Sequence, residues 1–285
     1  MSVSERLWNA TEERRTRIEL QSRENFPVAT RLLPARHREH LLNVYGYARL
    51  VDDIGDEAPP GERADLLDLV ERDLDRVYAG AGPELPVLRD LARTIVACRI
   101  PAEPFRRLIE ANRRDQAVTR YGTFDDLVEY CTLSADPVGH IVLHVFGAAT
   151  PGRLRLSDRV CTALQIVEHC QDVGEDYRNG RIYLPGDDLR RFGCAEDDLA
   201  AAVTPTRLRG VVALQAGRAR RMLDEGSALT GGLRGFARVA VAGYVAGGLA
   251  ALTALERGAY DVLAGPSRPG RVRLLAEWSR TMGRR

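Results

Sequence analysis

The chain contains no lysine: all 41 basic residues among its 285 are arginine. That absence excludes Schiff-base lysine chemistry and the P-loop lysine of ordinary nucleotide hydrolases. Cysteine is scarce and odd in number. Cys98, Cys131, Cys161, Cys170 and Cys194 form no C-x-x-C, so neither a disulfide framework nor a cysteine zinc site is expected, and a reducing cytoplasm fits. Aromatics make up only 6% of the chain. Leu, Ala and Val supply most of its apolar content, which favours helices over a β-sandwich. The formal net charge is +1, so no global field draws the protein to nucleic acid, and none is expected as a partner. No H-E-x-x-H and no G-x-G-x-x-G after a strand occurs among the motifs. Five histidines, His37, His40, His140, His144 and His169, are read as packing or surface residues. The N-terminal "MSVSERLWNATEERRTRIEL" is charged, without a signal-peptide core. The longest apolar run, Val239 to Leu255, is short for a membrane span and rich in Ala and Gly, and reads as a buried helix.

What is present is helical periodicity. "RHREHLLNVYGYARLVDDIGDE" carries an apolar stripe behind Pro34, a residue suited to a first turn. Amphipathic helices follow at "ADLLDLVERDLDRVYAG", "LPVLRDLARTIVACR" and "AEPFRRLIEANRRDQA". Thr123 and Asp126 in "TFDDLVEYCTLS" are spaced as a capping box. "PGRLRLS" reads as a loop, and "DRVCTALQIVEHCQDVGEDYRNG" as one long helix ending near Gly180. "TPTRLRG" supplies a cap-and-proline start for a later helix. "HIVLHVFGAA" and "IYLP" admit a strand reading, but alternating strands with hairpin turns are missing. The expectation is one all-α domain over 1–285 with about a dozen helices.

Two acidic segments need a purpose. "ARLVDDIGDE" holds four acids in ten residues, and "HCQDVGEDYRNGRIYLP" repeats the theme later in the chain. Helical residues four apart lie about 40° apart around the axis, so Asp52 and Asp56 share a face, as do Asp172 and Asp176. Like charges at that spacing repel by a few tenths of a kcal/mol (about 0.2–0.5) unless a cation intervenes. With 21 aspartates, about one or two such pairs arise by chance, so spacing alone leaves a solvated acidic face as the default. Context argues otherwise: Val51, Ile54 and Val173 put apolar residues beside both pairs, and Arg49, Arg178 and Arg181 flank them. Hard carboxylate oxygens with nearby guanidinium groups suit Mg²⁺ and a diphosphate, metal and arginine sharing the anion's charge.

These segments resemble the aspartate-rich motifs of the squalene/phytoene synthase family. "YGYARLVDDIGDE" is similar to the first motif, with Tyr45 and Arg49 in its aromatic and basic positions. "YCTLSADPVG" resembles the central segment lining the substrate cavity, and "QDVGEDYRNGRIYLP" resembles the second motif with its tail. "GYVAGGLAALTALERGAYDV" resembles the C-terminal region, with Tyr244 at a substrate-facing tyrosine. The resemblance spans roughly residues 20–270 in motif order. "ENFPVATRLLP" and "LSADPVGHIVLHVFG" are most similar to the bacterial hopanoid-pathway branch, the hydroxysqualene synthases, where Asn is more usual at Asp136. Phytoene and one-enzyme squalene synthases more often carry Lys and Ser where this chain has Glu24 and Asn25. That change hints at one bound diphosphate rather than two.

The resemblance implies an isoprenoid-synthase-type helical bundle around a central cavity, with the two acid clusters facing each other across it. It implies Mg²⁺ on Asp52, Asp56, Glu168, Asp172 and Asp176. Catalysis falls to Asp52, Asp56, Asp172, Asp176, Tyr45 and Tyr183. Substrate binding falls to Asn25, Arg49, Val138, Gln165, Gln171, Arg181 and Tyr244. Ile141, Leu143 and Phe146 are further candidates for the apolar wall that keeps water from a carbocation, although core packing is the commoner fate of such residues. Two departures stand out: Glu168 replaces the family's usual Asn and Gln171 its usual Arg. The implied reaction converts presqualene diphosphate and water to hydroxysqualene and diphosphate, without NADPH. A presqualene diphosphate synthase is the implied supplier, and the greasy product suggests peripheral contact with the inner membrane face. The alternatives are a head-to-head prenyltransferase making squalene, presqualene diphosphate or phytoene, and a non-catalytic prenyl-diphosphate-binding homologue.

Overall fold

In the computed structural model of the chain, residues 33–265 and 271–283 are described. They form thirteen α-helices, one 3₁₀ turn and a single parallel β-bridge, Arg120 to Ile182. The fold is all-α. The chain clusters into two compact units. One takes the described residues up to Ala117 together with His140–Ala149, and the other takes Val118–Gly139 and the described residues from Thr150 onward.

The first unit is built on α1 (Ala35–Glu57), α2 (Arg63–Tyr78), α3 (Pro86–Cys98) and α4 (Glu103–Asp115). Pro34 precedes α1 as expected. One face of α1, including Tyr47, Leu50, Val51 and Ile54, is buried against Leu67, Val70, Leu74, Leu88, Leu91, Phe105 and Ile109 of the other three helices. Tyr47 is wholly buried, its ring edge-on to Phe105 at 5.1 Å and its hydroxyl donating to the Phe105 carbonyl at 3.0 Å. A buried phenol with its one donor satisfied adds direction to an otherwise apolar core. The opposite face of α1 is thereby left to the acids.

In the second unit, α5 (Phe124–Ser134) starts at the expected capping box. The Thr123 hydroxyl accepts from the Asp126 amide and the Asp126 carboxylate accepts from the Thr123 amide. The apolar "HIVLHVFGAA" stretch is helical rather than extended up to Val145, where α6 (Asp136–Val145) ends, and turns at Phe146 and Gly147. The first residues of α6 belong to this unit and its last to the first unit. "PGRLRLS" is no loop: it forms the opening turns of α7 (Pro151–Gln171), because Thr150 accepts from the Arg153 amide and Pro151 pre-sets the first φ. The expected long helix breaks at Asp172, whose φ of −102° and ψ of 14° leave the helical region before α8 (Val173–Arg178) resumes. "RIYLP" is extended and lies beside residues 119–122: the Ile182 amide donates to Thr119 O and the Gly186 amide to Tyr121 O, both at 2.9 Å. A short α9 (Gly186–Arg191) follows.

The rest of this unit consists of α10 (Thr206–Gly226), α11 (Ala228–Gly231), α12 (Gly235–Arg257) and α13 (Arg271–Gly283). Thr204 does not cap α10. Its hydroxyl instead donates to Asp261 Oδ1 at 2.6 Å and accepts from the Leu263 amide at 3.0 Å, tying two chain segments together. α7 packs along α10 and α12. Gly226 allows the close approach: a Cβ there would lie 2.7 Å from Val160 and 3.0 Å from the Leu156 carbonyl. α12, which contains the Val239–Leu255 run, is long and apolar enough to cross a membrane. Ala240, Ala242, Val245, Ala246, Ala250 and Leu252 are fully buried along it, which makes it a core helix of this unit.

Candidate active site

The first acidic segment is the C-terminal half of α1. Tyr45, Arg49, Asp52 and Asp56 recur at helical spacing on the face turned from the core; Tyr45 and Arg49 are half-buried, and Asp52 and Asp56 are exposed. Solvent reaches Asp52, yet the surrounding protein withdraws enough water to push its carboxyl up to about 6. The Asn112 amide and Arg49 act against that rise, while Asp56 and Asp53 add to it. Arg49 does lie beside the motif as expected. Its guanidinium is already engaged by Asp53, at 2.7 Å, and by Glu57, at 3.5 Å, so an arriving anion competes with two carboxylates for it.

Three residues that the sequence reading did not single out brace this segment. Asn112 Nδ2, on α4, donates to Asp52 Oδ1 at 3.2 Å. Gln116 donates to the Gly55 carbonyl at 3.1 Å, and Arg63 donates to the carbonyls of Asp56 and Ala58 at 2.9 and 2.8 Å. A signal for Asn112 existed: it falls on the same stripe as Phe105, Leu108 and Ile109, where a buried amide must find partners.

The second acidic segment spans the break between α7 and α8. Asp172 is half-buried and pushed up to about 6, first by desolvation and then by the crowding of Glu168, Asp176 and Glu175, with His169 opposing. Despite the break, the Asp176 amide still donates to the Asp172 carbonyl at 2.8 Å, so the two acids remain one turn apart. Glu168 is exposed on the last turn of α7, and Gln171 is half-buried. The Arg181 amide donates to the Asp176 carbonyl at 2.9 Å, closing the turn at Gly180.

Behind these acids sits an aromatic stack. The His169 ring lies 3.8 Å from that of Tyr183 at 13°, and Tyr183 also contacts Tyr121 and Tyr130 at 5.7 and 5.6 Å. Gln165 Nε2 reaches His169 Nε2 at 3.3 Å, while His169 Nδ1 faces Asp176 at 3.8 Å. His169 is thus the packing residue expected of it, and it also touches the acidic segment, which its place in the sequence did not announce.

The remaining candidates are spread more widely. Tyr244 is half-buried on α12, its hydroxyl pushed up to about 12 by burial and then by Cys161. Val138 is 39% exposed on α6, whereas Ile141 and Leu143 are buried and Ile141 joins the core of the first unit. Phe146 stacks on His37 at 5.1 Å. Asn25 and the "ENFPVATRLLP" segment lie outside the described residues.

Among the described residues, no three His, Cys, Asp or Glu side chains gather closely enough to enclose a metal ion. Each segment instead offers a pair of aspartates one turn apart, Asp52 with Asp56 and Asp172 with Asp176. That donor set suits an ion that takes one or two carboxylates and completes its octahedron with water and ligand phosphate oxygens, as Mg²⁺ does.

Comparison with known proteins agrees with these features. Hydroxysqualene synthase of Rhodopseudomonas palustris is 35% identical over 216 residues, covering 75% of this chain and 72% of that protein. Phytoene synthase of Mycobacterium tuberculosis is 35% identical over 199 residues, covering 68% and 65%. The crystal structure of squalene synthase HpnC from Alicyclobacillus acidocaldarius superposes with a TM-score of 0.81 at 42% identity, covering 89% of this chain and 96% of that one. A dehydrosqualene synthase structure, at 24% identity and a TM-score of 0.84, shares the fold over 96% of this chain and 97% of its own. The squalene/phytoene synthase family model matches residues 20–278, and the chain accordingly belongs to this family of enzymes that process prenyl diphosphates.

Proposed function

We propose that the protein is a Mg²⁺-dependent hydroxysqualene synthase, converting presqualene diphosphate and water to hydroxysqualene and diphosphate without NADPH. The observation that carries the metal-diphosphate part is geometric: Asp52 and Asp56 recur one turn apart on one helix face, and Asp172 and Asp176 stay one turn apart across the break between α7 and α8. The choice of substrate is supported by relatives named hydroxysqualene synthase in three bacteria, at 33–35% identity. It is also supported by Glu24 and Asn25, which stand where phytoene and one-enzyme squalene synthases more often carry Lys and Ser.

In this reading Asp52, Asp56, Glu168, Asp172 and Asp176 would hold Mg²⁺, which would supply positive charge against that developing on the leaving diphosphate. Arg49, Arg181 and Gln171 bind the diphosphate oxygens, with Arg49 released from Asp53 and Glu57 as the anion arrives. The ester C–O bond breaks and leaves a cyclopropylcarbinyl cation that rearranges. Tyr45, Tyr183, Tyr244, Val138 and Gln165 face the hydrocarbon and restrict water. One water then adds its oxygen to the cation and loses a proton to solvent. Asn25 completes the substrate set. The same reading places the enzyme in the cytoplasm, at the inner membrane face, receiving substrate from a presqualene diphosphate synthase.

A second reading, head-to-head prenyl transfer, is favoured by the mycobacterial phytoene synthase and the squalene synthase structure. Incubation with presqualene diphosphate or farnesyl diphosphate, with and without Mg²⁺ and NADPH, separates the two by product mass. Hydroxysqualene from presqualene diphosphate and Mg²⁺ alone is the expected result. Presqualene diphosphate, squalene or phytoene as end product overturns it.

A further inference from the structure

Asn112 is 8% exposed, and its side chain bridges two helices 60 residues apart in sequence. Nδ2 donates to Asp52 Oδ1 and to the Leu108 carbonyl of its own helix, both at 3.2 Å. The contact depends on residue 55 being glycine. A Cβ at Gly55 would lie 2.0 Å from Asn112 Oδ1 and 3.0 Å from its Cγ. A glycine inside a helix costs about 1 kcal/mol relative to alanine, so the close approach is made against local helix propensity.

One turn on, Gln116 extends the brace. It donates to the carbonyls of Gly55 and Asn112, at 3.1 and 2.9 Å, and accepts from Arg63 at 2.8 Å. Arg63 in turn holds the carbonyls of Asp56 and Ala58. These are the carbonyls that a helix C-terminus leaves without intrahelical partners. The backbone that carries Asp52 and Asp56 is therefore fixed from outside, and the Asp52 carboxylate is fixed at one oxygen.

We propose that Asn112 is a positioning residue for the metal-diphosphate chemistry: by occupying Asp52 Oδ1 it orients the carboxylate and leaves Oδ2 for the cation. This rests on the Mg²⁺ reading above. The chemistry of the donor supports it. An amide orients a carboxylate while leaving its full negative charge available, whereas an arginine at the same place would neutralise it. Donors that orient metal-binding carboxylates typically account for about 10–100-fold in metal affinity.

The test is calorimetric titration of the full-length chain with Mg²⁺ in the presence of inorganic diphosphate, alongside kcat and KM for presqualene diphosphate at varied Mg²⁺. Asn112→Ala is expected to raise the apparent Mg²⁺ dissociation constant about 10–100-fold. The Mg²⁺ needed for half-maximal rate rises with it, while KM at saturating Mg²⁺ stays near wild type. Asn112→Asp, which keeps the shape but adds a like charge, is expected to lose more. Gly55→Ala keeps the amide but displaces it from Asp52, and is expected to reproduce the Asn112→Ala shift. It serves as the second route should Asn112→Ala not fold. Wild-type Mg²⁺ affinity in either folded variant, or a loss matching only the unfolded fraction measured by circular dichroism, overturns the proposal. Absence of Mg²⁺-dependent diphosphate binding in the wild-type protein is a different result, and overturns the metal reading itself.

Discussion

The two acidic segments share a spacing but not a construction. Asp52 and Asp56 sit on an unbroken helix whose last turn is held by amide and guanidinium donors from α4 and the start of α2. Asp172 and Asp176 straddle a helix break, backed by the His169–Tyr183–Tyr130–Tyr121 stack. Both nevertheless hold one aspartate up at about 6. In the first segment desolvation by the surrounding protein does most of this and Asn112 restrains it; in the second, three further acids add to desolvation. The two segments thus differ in what holds them: polar donors brace the first, and a stack of aromatic rings backs the second.

If both segments serve the same chemistry, neither should be dispensable. Asp52→Asn and Asp172→Asn are each expected to lower turnover by at least about 100-fold in a diphosphate-release assay, the scale of losing one well-placed charge stabiliser. A near-wild-type rate in either variant would reduce the pair to a single working segment.

The wall of the second segment sets the next effect. Tyr183→Ala removes the ring that stacks on His169, and is expected to cost about 3–5 kcal/mol, read as a lowered midpoint of denaturant unfolding. Arg63→Ala removes donors to two carbonyls at the end of α1. Those bonds are partly solvent-exposed, and the expected cost is about 1–2 kcal/mol. Equal losses in these two variants would contradict the contrast between packing and polar bracing.

The smallest effect is on pH dependence. Asp52 and Asp172 bind protons more tightly when folded than at their ordinary value of 3.8. The folded state therefore holds more protons than the unfolded state between about 4 and 6, and stability falls as pH rises through that window. In chelator, Tm is expected to decline from pH 4 to 6 on account of these groups and to level off above, with Asp52→Asn and Asp172→Asn each removing part of the decline. A Tm unchanged by both substitutions across that window would show that neither carboxylate is held above its ordinary value in the folded protein.

Much of this was legible in the sequence because it is local. The capping box at Thr123, the amphipathic helices and the buried apolar helix α12 follow from neighbours within a few residues. The acidic motifs and their order were enough to identify the family. The failures have physical causes. "PGRLRLS" resembled a loop because Pro and Gly open it, yet the same proline starts a helix once Thr150 caps it. The break at Asp172 carries no proline, and the helical pattern runs through it without a gap. Asn112 and Gln116 read as ordinary polar residues, since their partners lie about 60 positions away in sequence. The aromatic stack likewise gathers Tyr121, Tyr130, His169 and Tyr183 from three separate segments.

The most direct measurement is calorimetric titration of the wild-type protein, Asp52→Asn and Asp172→Asn with inorganic diphosphate, with and without Mg²⁺. The account predicts that the wild-type protein binds diphosphate only with Mg²⁺, and that each variant weakens this binding by about tenfold or more. Equal diphosphate binding in chelator, or unchanged Mg²⁺-dependent binding in both variants, would contradict it.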